Sequence, residues 1–197
     1  LSTEAFRSVT ANGLGSAARL SAFQAHSVLA AGIARRLAAG TKLADEAYVA
    51  CILHNIGALV LASQFTARHN EIEQKARDMA CSLHDAEMSV LGTTHAEIGG
   101  YLLGLWGLPY SIVEAVSNHH HPERVEQPVF DLLAVVHIAS GLANQHALLE
   151  DQRGSLNDDT SRAYLAALGV LDKLPAWNEV ARELADLMST TQDRLSN

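Results

Sequence analysis

Histidine is the residue type with the most chemical potential in this sequence, which contains ten histidines among 197 residues. Neutral imidazole is the commonest metal ligand of proteins, and it changes charge close to physiological pH. Six histidines lie on, or at the end of, segments whose apolar residues have helical spacing: His26, His54, His95, His119, His120 and His137. The remaining four lie in more polar sequence, and we expect their side chains to be solvated: His69, His84, His121 and His146. Because helical bundles build metal sites from inward side chains of different helices, the first six are candidates for one shared site.

Carboxylates are scarce beside these histidines. Two divalent ions about 4 Å apart can clamp both oxygens of a phosphate ester, but they need bridging carboxylates. In the stretch CILHNIGALVL the residue after His54 is Asn55, an amide, and the helix-like stretch AVVHIASGLA contains no acid. The nearest acids are Glu97, which fits a capping box with Thr94, and Glu123, which we expect on a surface loop. The residues therefore predict a histidine-rich site that lacks the acids of a two-metal centre.

The elements that must position these side chains are predicted to be helices alone. Apolar residues recur at helical spacing, alternating β-branched runs are nearly absent, and only four prolines occur. The expected helices cover residues 17–39, 44–67, 70–81, 83–90, 94–106, 109–118, 129–149, 161–171 and 175–193, with a loop at 150–160. Gly57 is a candidate kink in the second helix. The fold class predicted is all-α, a helical bundle with an appended C-terminal helical hairpin.

The amino-acid composition limits which classes of function this protein can have. The net charge of −8 and the 5% aromatic content disfavour a nucleic-acid-binding protein, which would need a basic surface and stacking side chains. No apolar run reaches the ~18 residues of a membrane helix, and no signal peptide is evident. Cys51 and Cys81 lie in apolar, helix-like contexts, and we expect buried, reduced thiols. These features predict a cytoplasmic protein that binds neither nucleic acid nor a membrane.

The order of the histidine motifs resembles the HD superfamily of metal-dependent phosphohydrolases. More specifically, it is similar to the HDOD branch, the HD-related output domain of bacterial signalling proteins. The matching segments are AHSVLAAGIARRLA (25–38), AYVACILHNIGALVL (47–61), LGTTHAEIGGYLLGLWGLPYSIVEAVSNHHHPE (91–123) and AVVHIASGLA (134–143). The third segment is long and specific, since a Gly-Leu-Trp-Gly-Leu-Pro turn before a His-His pair is not a general helical feature.

The resemblance implies which residues occupy the metal-ligand positions of the superfamily. Those positions are His26, His54, Asn55, His95, His119 or His120, and Ser140. Active relatives have Asp where this sequence has Asn55 and Ser140, and Ala58 replaces a frequent Lys. A two-metal phosphodiesterase centre is therefore not expected, and the resemblance favours a protein without enzymatic activity.

The resemblance also implies a domain organisation. Residues 1–150 would form the HD-like helical domain, whose first helices are expected to precede Leu1, and residues 151–197 would form the hairpin. The chain would be the C-terminal part of a response regulator in a two-component system, with a receiver domain upstream.

Three hypotheses remain open for the residual site. In the first, the module is inert and binds no cofactor, and Asn55, His137 and Ser140 join the histidines in a hydrogen-bonded polar core. In the second, the histidines hold one divalent transition metal. In the third, the pocket senses a phosphate or nucleotide ligand. An inert module would act through a protein partner, with a homodimer as one form. We expect Trp106 in the core.

Overall fold

The computed structural model describes residues 17–125, 128–146, 156 and 158–195, and every regular element in these ranges is helical. The all-α prediction is thereby confirmed. The α-helices are α1 Ala17–Leu37, α2 Ala44–Leu53, α3 Ile56–Gln64, α4 Thr66–Met79, α5 Leu83–Leu91, α6 His95–Leu105, α7 Tyr110–Asn118, α8 Leu132–His146, α9 Asp159–Ala167 and α10 Leu174–Leu195. Short 3-10 turns cover Pro122–Arg124 and Leu171–Lys173.

The break between α2 and α3 differs from the single kinked helix predicted over 44–67. The chain leaves the helix at His54 and Asn55, and Asn55 has the non-helical angles φ −102° and ψ 15°. Gly57 is not the kink. A Cβ on Gly57 would lie 2.0 Å from the His95 carbonyl oxygen and 2.7 Å from the Gly99 nitrogen. Glycine is therefore required here because α3 and α6 touch through their backbones.

The same segment corrects the expectation that no apolar run is long enough for a membrane. By length and composition alone, Ala44–Gln64 could cross one, with 21 residues and a mean hydropathy of 1.4. In the structure it is two helices with His54 and Asn55 buried between them. A core helix of a soluble protein passes the same composition test, and 44% of the apolar window is buried inside the fold.

Helix α8 is the centre of the core. Every side chain from Leu132 to Ala143 is buried. Helices α1, α2 and α7 pack around it, and α10 covers α1 and α8 with Ala181 buried and Leu184 against the core. Phe130 and Trp177 stack with ring centroids 5.9 Å apart. The predicted boundary at residue 150 lies outside the described residues.

Helix caps and a tight turn determine how the chain enters α5 and α6. The Thr94–Glu97 capping box predicted for α6 is present. Ser82 caps α5, and its hydroxyl accepts a hydrogen bond from the backbone nitrogen of Asp85 at 3.1 Å. Ala80 ends α4 in the left-handed region with φ 50°, a conformation that costs a non-glycine residue about 1 kcal/mol. These turns direct the first residues of α5 and α6 toward the histidines.

Two expectations about burial are wrong. Trp106, expected in the core, is 61% exposed at the C-terminal end of α6. Gly107, with φ 76°, turns the chain immediately after it, so that the indole stays outside the bundle. Cys51 is buried as expected, but Cys81 is only partly buried.

Candidate functional site

Five predicted ligands come together in the fold, and we call them the inner cluster: His26, His54, His95, His119 and His120. They come from α1, from the end of α2, from the start of α6 and from the end of α7. Ring centroids are 5.3 Å apart for His26 and His54, 5.1 Å for His54 and His119, and 4.1 Å for His119 and His120. His95 lies 5.7 Å from His119 and 4.9 Å from His120. The sequence order of motifs therefore corresponds to one contiguous group of imidazoles.

Backbone carbonyl groups fix the orientation of these rings. His54 Nδ1 lies 2.5 Å from the Cys51 oxygen, and His119 Nδ1 lies 2.8 Å from the Val116 oxygen. A carbonyl oxygen only accepts, so each Nδ1 carries the proton and each Nε2 has a free lone pair. His26 Nε2 is 3.3 Å from His54 Nε2 and must therefore donate to it. Each ring thus has a defined tautomer before any ligand is considered.

Ser140 and His137 lie beside the inner cluster, as predicted. Ser140 Oγ is 3.4 Å from His54 Nε2, and His137 Nδ1 donates to the His119 carbonyl oxygen at 2.8 Å. Both residues line a small cavity of about 40 Å³ together with His119 and His120. A polar cavity of this size has room for a water molecule or two.

Asn55 is also buried, at the N-terminus of α3, and its Nδ2 has no hydrogen-bond partner among the described residues. The same holds for Nε2 of His119 and of His137. Leaving a buried polar atom unpaired costs about 1–3 kcal/mol. These three atoms, together with Nδ1 of His26, are places in and beside the inner cluster that can still accept a partner.

A carboxylate that the sequence analysis missed reaches the inner cluster from α5. Glu87 is 3% exposed, and its Oε2 accepts hydrogen bonds from the His95 backbone nitrogen at 2.8 Å and from His95 Nδ1 at 2.7 Å. His95 Nε2 then accepts from His120 Nε2 at 3.0 Å. The sequence held a signal for the burial of Glu87. This residue is next to Ala86, which lies on the apolar side of the capped helix α5. From the sequence, Glu97 and Glu123 were the acids expected nearest the histidines, and the structure adds Glu87 to them.

Two of the four histidines expected in solvent are also buried or nearly so. His84 is 6% exposed, with its ring centroid 5.1 Å from that of His120 and 4.6 Å from that of His121. The His69 side chain is 13% exposed and pairs with Glu73 at 3.0 Å. Their polar neighbours in sequence belong to the solvent sides of α4 and α5. His121 and His146 are partly exposed.

Burial favours the neutral form of four inner-cluster histidines: His26, His54, His119 and His120. Loss of solvation lowers the pKa of His26 to about 4, and burial together with the neighbouring His26 lowers the pKa of His54 to about 3. Burial likewise lowers the pKa of His119, His120 and His137. For Glu87 burial alone would raise the pKa, but the charge and hydrogen bonds of His95 outweigh it and hold that pKa below its usual value. Neutral imidazoles are competent both as ligands and as hydrogen-bonding core residues.

The donor set decides which metal the inner cluster fits. His95, His119 and His120 each offer one ligand atom within 4.8 Å of the other two. Three imidazoles suit a single zinc or similar transition ion. Among the described residues, Asn55 and Ser140 stand where the HD resemblance implies bridging carboxylates, and the nearby carboxylate of Glu87 is hydrogen-bonded to His95. The residues present do not fit a two-metal phosphodiesterase centre.

Comparison with known proteins identifies a matching family and a relative of similar sequence. The family model "HDOD domain" matches residues 1–122. An uncharacterized protein of Treponema pallidum (strain Nichols) is 30% identical over 114 residues, which are 56% of this chain and 21% of that protein. The chain thus spans about a fifth of the length of this relative.

Solved structures give the same fold. An HDOD domain protein with unknown function from Geobacter sulfurreducens has a TM-score of 0.68 at 23% identity, covering 90% of this chain and 62% of that one. A protein described as "Putative phosphohydrolase" from Shewanella amazonensis SB2B has a TM-score of 0.63 at 25% identity, covering 89% and 65%. A protein described as "Putative signal transduction protein" from Marinobacter aquaeolei VT8 has a TM-score of 0.53 at 23% identity, covering 84% and 38%. With its family model matched over more than half of its length, the chain belongs to the HDOD domain family.

Proposed function

We propose that this chain is a non-catalytic signalling module that acts by binding a protein partner. The observation that carries the proposal is the chemistry of two buried positions. Asn55 and Ser140 are each 5% exposed and stand where hydrolytic relatives have carboxylates. Neither side chain brings the negative charge that would hold two divalent ions beside a phosphate ester.

The hydrogen bonds of the inner cluster support a structural role for its histidines. His54 Nε2 is already approached by His26 Nε2 at 3.3 Å and by Ser140 Oγ at 3.4 Å. Glu87, the buried acid, orients His95 through two hydrogen bonds. A polar core with fixed partners rigidifies and specifies one packing arrangement.

The biological context is part of the proposal. We place the module in the cytoplasm of a bacterium, in two-component-type signalling downstream of a receiver domain. Support comes from membership of the HDOD family and from the fold shared with the Marinobacter aquaeolei protein, whose description names signal transduction.

The surface that would meet a partner lies at the end of α6 and the start of α7. Four large side chains there are exposed: Tyr101, Leu105, Trp106 and Tyr110. Adjacent exposed apolar residues of this size mark interaction sites more often than chance. A second copy of this chain is one occupant, and sedimentation analysis of the parent and of Trp106→Ala distinguishes a homodimer from a heterologous partner. Trp106→Ala should change the unfolding free energy by less than about 1 kcal/mol, because the indole is outside the core.

The central test combines stability with hydrolysis. His54→Ala should lower Tm by about 5 °C or more, since it removes a fully buried, hydrogen-bonded ring. An inert core predicts the same drop in Tm with and without a chelator. The parent should also fail to hydrolyse bis(p-nitrophenyl) phosphate with zinc, manganese or nickel. Hydrolysis that His54→Ala abolishes would refute the proposal.

A second candidate function, a single-metal site, is favoured by one specific observation. The ligand atoms of His95, His119 and His120 converge, and His119 Nε2 has no hydrogen-bond partner among the described residues. Elemental analysis of protein purified without a His-tag or chelator tests it. One equivalent of metal, lost in His119→Ala, would replace the inert core with a metal site. A metal content near zero that stays so after incubation with zinc, manganese, iron and nickel would exclude it.

A further inference from the structure

A second group of metal-ligating side chains lies outside the inner cluster, at the mouth of an open cleft. This outer cleft has a volume of about 440 Å³ and runs between the first turn of α5 and the first turn of α9. Its walls include His84 and Asp85 from α5, His121 from the turn after α7, and Asp158 and Asp159 at the start of α9. None of these residues belongs to the ligand positions that the HD pattern implies.

Three of these side chains converge. His84, Asp85 and His121 each offer one ligand atom, and the three atoms lie within 4.8 Å of one another. We propose that they form a binding site for one divalent transition metal ion such as zinc. Two imidazoles and one carboxylate are an established ligand set for an open zinc site, in which solvent completes the coordination.

The neighbourhood of His121 supports this assignment. His121 Nδ1 donates to Glu123 Oε1 at 2.9 Å, which leaves the lone pair of Nε2 available. Carboxylates that accept from the second ring nitrogen are the usual companions of metal-bound histidines, because they fix the tautomer and raise the basicity of the ligand. Glu123 is therefore a positioning residue for His121 in this proposal.

Zinc binding requires the three ligand atoms to move closer to one another. In a tetrahedral site with bonds of about 2.1 Å the ligand atoms lie about 3.4 Å apart, so the three donors must approach one another. Asp85 supplies this freedom, since its side chain is 62% exposed and accepts a hydrogen bond from the Ser82 hydroxyl at 2.7 Å. Asp158 and Asp159 face the same cleft, where the Asp158 carboxylate caps α9 by accepting hydrogen bonds from the backbone nitrogen and the hydroxyl of Ser161. The overall charge of −8 favours a cation at this position.

The site is separate from both candidates for the inner cluster. The inner metal hypothesis uses His95, His119 and His120, whereas the outer cleft uses His84, Asp85 and His121. The two groups meet where the rings of His84 and His120 contact each other, and His120 also lines the outer cleft. The outer site can therefore exist whether the inner cluster is inert or not.

Zinc titration followed by calorimetry, with Co²⁺ absorption as a second readout, tests the proposal on the full 197-residue chain. His121→Ala is the principal variant, because His121 lies on the surface turn and its loss should not prevent folding. His146→Ala is the matched control, since His146 is a partly exposed histidine at the end of α8 that contacts Asn178 instead of the cleft. Asp85→Asn keeps the cap of α5 but removes the charge of the ligand.

The expected result is the loss of one zinc equivalent, or at least an about 100-fold weaker Kd, in His121→Ala, with His146→Ala unchanged. This size follows because even loss of an orienting partner costs about 10–100-fold in metal affinity. Glu123→Gln should weaken zinc binding by about 10-fold and shift the Co²⁺ spectrum. Equal zinc stoichiometry and Kd in the parent and in His121→Ala would overturn the site, as would an equal loss in His146→Ala. Since the inner cluster keeps all its residues in these variants, failure here leaves the proposed function intact.

Discussion

The inner cluster and the outer cleft use the same side chain in opposite settings. In the inner cluster the rings are buried, and backbone carbonyls of the same helices hold His54 and His119. In the outer cleft His121 is partly exposed and is held by Glu123, a side chain that is itself accessible to solvent. The two regions meet where the ring of His84 contacts that of His120.

The difference teaches that a histidine's role here follows from its surroundings more than from its motif. Buried rings with backbone partners contribute to folding, and protonating them is costly. Exposed rings beside carboxylates contribute little to folding but can exchange ligands quickly. Among the histidines outside the motif, His121 is partly exposed and open to solution chemistry, whereas His84 is buried.

The largest effect is expected where the inner cluster depends on backbone contact. Gly57→Ala would place a Cβ 2.0 Å from the His95 oxygen, which neither helix can accommodate without moving. We expect a loss of about 3 kcal/mol or more in the free energy of unfolding, measured by urea denaturation. Gly104→Ala is the control, because nothing lies within 4 Å of its Cβ, and it should be neutral or stabilising by up to about 1 kcal/mol. Similar stabilities of the two variants would contradict the close approach of α3 and α6.

Acid should destabilise the fold through the histidines of the inner cluster. The folded-state pKa values of His26 and His54 are about 4 and about 3, well below the ordinary value of 6.5. The unfolded chain therefore binds more protons than the folded one between these values, and stability falls as pH falls below about 6.5. A change from pH 6.5 to pH 5.5 should lower the free energy of unfolding by about 2 kcal/mol through these two residues alone. Chemical denaturation at both pH values measures it.

The acid prediction has a matched control. His146→Ala should show the same decrease, since His146 lies outside the inner cluster. A free energy of unfolding that is constant from pH 7 to pH 5 would mean that the inner histidines are not held neutral by the fold.

A pair of equivalent substitutions compares the two regions directly. Glu87→Gln removes the buried charge that accepts two hydrogen bonds from His95, and it should lower the free energy of unfolding by about 1–3 kcal/mol. Glu123→Gln changes an exposed partner of His121 and should cost less than about 0.5 kcal/mol without metal. Thermal unfolding in the presence of a chelator provides both values. Equal costs would remove the distinction between a structural and an open histidine group.

Helical periodicity in the sequence predicted most helices, and the resemblance to the HD superfamily implied the ligand positions of the five inner histidines. It did not predict Glu87 or His84, whose burial depends on how α5 packs against α6 and α7, a contact between distant parts of the chain. Trp106 was misplaced for a related reason. An apolar residue is typical of a core, but the turn at Gly107 decides which side of the bundle the indole occupies. The prediction failed mainly where it had to say which way a side chain faces in the folded bundle, and less where it had to say which secondary structure forms.

The backbone hydrogen bonds of His54 and His119 have an evolutionary consequence. Their acceptors are the carbonyls of Cys51 and Val116, and a backbone carbonyl is present whatever side chain stands at these positions. The orientations of the two rings therefore do not depend on which side chains occupy positions 55 and 140. A lineage of this fold can gain or lose carboxylates at those two positions while its imidazoles keep their alignment.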